Sequence, residues 1–266
     1  MTLDPYTSLD APPRAFLHRL NPLAKLAAPL PFMAWLLVVR DLWTPLLFLC
    51  FAVVLVLVGG RLSLRRGAAL VIGIPIGVFV LSLSFGLWTD ASRVDSTAVL
   101  FQLGEYRFFA GAWLIGLATA LRLAAILSLA LIPGLTTTGP DFVRSAVQHL
   151  RVPYRIGYTA LAAYRFVPRF RHDLDLITQA HRVRGVAGGR GPVASIRRSF
   201  GYVVPLLAGA IRHAERVSFA MDSRAFGAHP TRTERHLVPL RARDAVFVAT
   251  FWLIGIVLLI VAARLG

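Results

Sequence analysis

Long apolar runs separated by short polar links fill the first half of the chain. Amphipathic sequence of helical period follows, and one last apolar run ends it. Crossing a hydrocarbon core of about 30 Å takes roughly 20 predominantly apolar residues. Residues 42–58, 68–87, 108–133 and 245–263 approach or exceed that length. Residues 26–39 make a shorter run that contains Pro29 and Pro31. At 1.5 Å per residue it reaches about 21 Å, so it crosses a thinned region or recruits its flanks.

Between the fourth and fifth runs the pattern changes. Residues 141–150 follow Thr136-Thr137-Thr138-Gly139-Pro140, a turn whose proline suits a helix start. From Val167, apolar residues recur at Phe170, Leu174, Ile177 and Val183, and Gly185 with Gly188-Gly189 ends that helix. A third helix is predicted over 194–226, with Ile196, Phe200, Val203, Leu207 and Ile211 on one stripe and a kink at Pro205. The expected fold is an all-α polytopic membrane protein of about five transmembrane helices. Its parts are an N-terminal membrane region (1–135), cytoplasmic helices (136–243) and a final span (244–266).

Composition agrees with a membrane setting: 56% of the 266 residues are hydrophobic and 16% charged, with a mean hydropathy of +0.65. The net charge of +16 and the 28 arginines against one lysine, Lys25, would ordinarily raise nucleic-acid binding. Here the positive charge lies between spans or at their ends, where the positive-inside rule places it, so no nucleic-acid partner is expected. Residues 136–243 alone hold 18 arginines against six acidic residues. Loop 59–67 adds Arg61, Arg65 and Arg66, and the N-terminal tail adds Arg14, Arg19 and Lys25. The link 88–107 is nearly balanced, with Arg93 and Arg107 against Asp90, Asp95 and Glu105. Placing the tail, loop 59–67 and residues 136–243 in the cytoplasm puts every strongly basic segment on one side of the membrane. No cleavable leader is expected at the start, and the lone Cys50 excludes an intrachain disulfide.

Catalytic templates are missing. The chain has no GxxxxGK[ST] phosphate loop, no HExxH and no GxSxG. The seven histidines are scattered outside the apolar runs, and His172 with Asp173 and Asp175 reads as a solvated helix face. The expectation is a non-enzyme without catalytic residues, metal or cofactor. Arg122 stands out because it interrupts the apolar run 108–133, and a guanidinium at bilayer depth normally faces protein, water or an acid. It either contacts another membrane subunit or fixes helix packing.

Two short arginine motifs lie 40 residues apart, Val183-Arg184-Gly185 and Ser223-Arg224-Ala225. Each ends an amphipathic helix and flanks its arginine with a small or β-branched residue before it and Gly or Ala after it. Small neighbours let a partner approach, and a planar guanidinium grips a carboxylate with two bonds. The plainer alternative is a pair of arginines snorkelling to lipid headgroups.

These motifs, taken with several others in order, resemble the transmembrane T component of energy-coupling factor (ECF) transporters, the vitamin and metal importers of prokaryotes. The likeness includes 18–26 (HRLNPLAKL), 121–123 (LRL), 136–141 (TTTGPD) and 150–153 (LRVP). It continues through 164–168 (YRFVP), 179–185 (QAHRVRG) and 220–227 (AMDSRAFG), nearly the whole chain. Members carry two Ala-Arg-Gly-like signatures on cytoplasmic coupling helices. The resemblance implies that Arg184 and Arg224 each dock on one of two ABC-type ATPases while the membrane part holds a substrate-binding S component. Val183, Ser223 and Ala225 depart from that signature. A self-contained secondary transporter or a lipid-acting membrane protein is the competing expectation.

Overall fold

In a computed structural model, residues 15–60, 63–89, 98–103, 106–185, 191–230 and 233–265 are described. Arg14, Arg61, Asp90, Arg93, Asp95, Glu105, Gly188 and Gly189 lie outside them. Contacts divide the chain into two compact units, one of Pro12–Thr138 with Pro239–Gly266 and another holding Gly139–Val238.

The first unit is the apolar one. A short 3-10 turn, Phe16–Arg19, precedes α1 (Pro22–Ala27) and α2 (Leu30–Val38). The long helices are α3 (Trp43–Gly60), α4 (Leu64–Leu87), α5 (Ala110–Thr136) and α9 (Ala242–Leu265). Those four are long and apolar enough to cross a membrane, and Pro22–Val38 forms a shorter apolar segment. The architecture is that of an all-α polytopic membrane protein.

The short first run is where prediction and structure differ most. It is not one helix over 26–39 but two pieces with a turn at Ala28-Pro29. Pro29 and Pro31 supply no backbone N–H, which breaks the hydrogen-bond ladder there. The segment recruits its N-terminal flank instead: Asn21 caps α1, its side chain accepting from Leu23 N–H at 2.9 Å. A second difference lies in the 88–107 link, which holds β1 (Val99–Leu103) and β2 (Tyr106–Phe109), paired antiparallel. Phe108 and Phe109 therefore belong to a strand, and α5 starts at Ala110.

The core of this unit gathers Phe32, Leu36, Phe48, Leu129, Ile132 and Phe251, all buried. Phe32 and Phe48 pack with ring centres 5.2 Å apart, and Phe51 meets Phe251 at 5.1 Å. α5 packs against α4 through glycine: a Cβ on Gly116 would sit 2.3 Å from the Ser82 carbonyl, so only glycine allows that approach. Most other faces of α4 are apolar and exposed, including Ile72, Ile76, Phe79 and Val80, as suits a helix facing lipid or another chain.

The second unit is amphipathic. α6 (Gly139–His149) precedes α7 (Tyr154–Val183) and α8 (Pro192–Asp222). α7 starts well before the predicted Val167 and runs through Pro168, so a proline inside a helical pattern does not end this helix. Pro192 opens α8 at its first turn, the position where a missing N–H costs nothing. α7 and α8 meet where the His213 ring stacks on Phe166 at 4.2 Å and His181 packs edge-on to Tyr202 at 5.1 Å.

Candidate functional site

Arg184 and Arg224 both stand at the C-terminal ends of long helices, where the last carbonyls have no intrahelical partner. Arg184 is the residue after α7, exposed, with its N–H donating to the Ala180 carbonyl at 3.1 Å. Gly185 follows in the left-handed region at φ +70°, its N–H donating to the Arg182 carbonyl. That is the common way for a helix to stop, and glycine enters this region without steric cost. Val183 beside it is 89% exposed, an apolar side chain left in the open.

The second end repeats the device with different residues. Ser223 caps α8, its hydroxyl donating to the Ala220 carbonyl at 3.1 Å. Arg224 is exposed, and Ala225 takes the left-handed position at φ +53°. Phe226 N–H then donates back to the Met221 carbonyl at 3.0 Å. Each motif thus presents one guanidinium just past a helix end, next to a residue in the left-handed region.

Among the described residues, the segment that follows the second end is anchored to other elements of its unit by several side-chain bonds. Tyr154 donates its hydroxyl to the His229 carbonyl at 2.6 Å and meets the Phe226 ring edge-on. Arg155 donates to the Gly227 carbonyl, and Tyr158 to the Glu234 carboxylate. Further along, Gln148 brackets the segment, donating to the His236 carbonyl and accepting from Val238 N–H, both at 2.9 Å. These bonds strap residues 226–230 and 233–238 across α6 and α7. Between strap, α7 and α8 lies an open cleft of about 980 Å³ whose lining includes Arg144, Arg165, Arg169, Arg224 and Arg235. Two of its arginines have carboxylates nearby: Arg144 with Asp141 at 3.1 Å and Arg169 with Asp173 at 3.8 Å. Asp173 is therefore engaged along its own helix rather than gathered with His172 and Asp175.

Arg122 sits on α5 among the core residues Leu121 and Ala125, and its Nε is buried without a hydrogen-bond partner. No hydrogen bond fixes helix packing through that atom.

Sequence reasoning missed Lys25. Grouped by charge with the basic residues of the tail, it is 1% exposed, and its ammonium donates to the Thr136 carbonyl at 2.7 Å. Its N-terminal neighbour Asn21 donates its N–H to the Asp244 carboxylate at 2.7 Å, and Asp244 is 2% exposed. The available signal was the four-residue spacing of Asn21 and Lys25, and the chain's single lysine standing where it otherwise uses arginine. His18, nearby on the 3-10 turn, has its pKa held below the ordinary value by burial and then by the Lys25 cation.

Comparison with known proteins finds relatives over nearly the full length. A family model described as CbiQ, cobalt transport protein, matches residues 13–235. A protein of Streptococcus equi subsp. equi named energy-coupling factor transporter transmembrane protein EcfT is 26% identical over 262 residues, covering 93% of each chain. The protein of that name from Bacillus subtilis is 24% identical over 262 residues, covering 95% of this chain and 96% of its own. A Bifidobacterium longum protein named as a putative ABC transporter ATP-binding protein is 28% identical over 257 residues. That match takes in 92% of this chain but 32% of the larger protein.

Proposed function

Because this chain belongs to the CbiQ cobalt-transport family, as a multi-pass transmembrane T component of ECF transporters in the prokaryotic cell membrane, we propose that it couples ATP-driven movement to uptake. It is a transporter subunit rather than an enzyme. Two cassette ATPases hydrolyse ATP, and residues 136–243, on the cytoplasmic side, carry their displacement to the spans. There a substrate-binding S component for a vitamin or metal ion is tilted or released.

The observation that carries this reading is the pair of exposed guanidiniums, Arg184 and Arg224, each set just past the end of a helix about 30 residues long. A helix of that length is a rod of about 45 Å, so a contact at its tip moves distant residues with it. In a desolvated groove an arginine paired with carboxylate binds strongly, and its removal strands the partner charge. The Bifidobacterium relative supports the partnership: a chain named for ATP binding contains a region like this one. Phe200, Val204 and Phe219 leave an apolar stripe of α8 uncovered, a surface suited to the S component. Arg122, with its unpartnered Nε, is assigned to the same subunit contact within the membrane.

Uptake of labelled vitamins and of divalent cobalt, measured in cells expressing the chain and a cognate S component with or without the ATPases, tests this. Uptake that requires the ATPases and cellular ATP is expected. Uptake driven by an ion gradient without them contradicts the reading.

A further inference from the structure

The buried polar cluster around Lys25 has no part in the docking just described, yet it occupies a special place in the chain. The polypeptide passes from the apolar unit to the amphipathic one at Thr138–Gly139 and returns at Val238–Pro239. Lys25 holds Thr136, the last residue of α5 and two positions before the first crossing. Asp244, in the first turn of α9 and five positions after the second, accepts from Asn21 N–H at 2.7 Å and from Arg241 N–H at 2.8 Å. Arg243 donates to the Arg19 carbonyl as well. One short stretch, residues 19–25, is thus bonded to both ends through which residues 139–238 join the spans.

The charges are chemically matched to their places. A helix C-terminus carries unpaired carbonyls and partial negative charge, which an ammonium satisfies; an N-terminus carries unpaired N–H groups, which a carboxylate satisfies. Burial makes both charges costly unless they are bonded, so their retention marks bonds that must hold. A slack crossing would absorb any displacement of residues 139–238 before it reached α5 or α9.

We propose that Asn21, Lys25 and Asp244 form a clamp that removes this slack, making Lys25 a positioning residue for energy coupling. The proposal rests on the function given above and specifies where force enters the spans.

The test uses the complete complex with its ATPases and S component, reconstituted in lipid. Spin labels are placed on the native Cys50, exposed on α3, and on an introduced Leu253→Cys at an exposed site of α9. Their separation is measured with and without ATP. In the parent complex ATP shifts that separation; with Lys25→Met the ATPases still co-purify and hydrolyse ATP, but the shift falls to roughly half or less. Lys25→Arg, which keeps a cationic donor, restores most of it. A full ATP-driven shift in Lys25→Met overturns the clamp. If Lys25→Met does not accumulate in the membrane, Asp244→Ser decides by the same criterion. Loss of the ATPases from the parent complex, or no shift there, counts against the proposed function instead.

Discussion

At the end of α7, Arg184 is followed by Gly185 at φ +70°, and among the described residues nothing lies within 4 Å of where a side chain on that glycine would begin. At the end of α8, Arg224 is followed by Ala225 at φ +53°, and the next residues are strapped to α6 and α7 by Tyr154, Arg155, Tyr158 and Gln148. Both ends place the residue after the arginine in the left-handed region. The first end achieves it with a residue that has no steric objection; the second places a methyl group in a region that costs an L-residue about 1–2 kcal/mol. Such strain persists where surroundings over-determine the conformation, and the strap supplies that constraint. One arginine end is therefore relaxed at its left-handed residue, while the other is strained and braced.

Breaking the brace should separate the two ends most clearly. A Cβ on Gly157 would lie 2.2 Å from a Val147 methyl, so Gly157→Leu must force α6 away from α7. We expect a loss of about 3 kcal/mol, read as a lower unfolding temperature in detergent. Trypsin should cut faster at Arg224 and Arg235, with Arg184 unchanged. Tyr154→Ala removes both the 2.6 Å bond to the His229 carbonyl and the ring contact with Phe226. It should cost about 2 kcal/mol and bias cleavage the same way. Equal acceleration at Arg184 would show that the ends are not independently held.

Exchanging the reversal residues tests strain directly. Ala225→Gly should stabilise by up to about 1 kcal/mol, and Gly185→Ala should destabilise by about 1 kcal/mol, because only glycine occupies positive φ freely. Opposite signs in paired melting curves support the contrast; equal signs refute it. The smallest effect belongs to His18, in the other unit. Its lowered pKa means the folded state binds fewer protons than the unfolded one between the lowered value and the ordinary 6.5. This contribution to stability is complete above pH of about 6.5 and is lost as pH falls through the folded pKa. His18→Gln should flatten that slope and leave protease sensitivity at both arginine ends untouched.

Much of this molecule is written in its apolar spacing. The four long spans appear within a few residues of where length and hydropathy place them, and Gly185 bounds α7, whereas α8 ends at Asp222, short of the expected 226. Local pattern misled where tertiary contacts decide. α7 starts before Val167, at Tyr154, whose hydroxyl and ring are committed to the strap. Lys25 reads as one more basic residue of the tail until its partner 111 residues away is known. The β1–β2 hairpin was hidden in a link judged by its charges alone, although Val99, Phe101, Phe108 and Phe109 are the residue types that favour strands. The motif arginines were legible as a pair, but the unequal support behind them was not, since the strap's bonds join residues as far apart as 90 positions.

The central claim is that Arg184 and Arg224 together hold the ATPases. Its most direct test is affinity purification of the Arg184→Glu, Arg224→Glu double variant from membranes co-expressing the cassette ATPases and S component. The account predicts a chain that remains in the membrane with the ATPases absent from the eluate. Recovery of an intact complex at the parent's stoichiometry would contradict it.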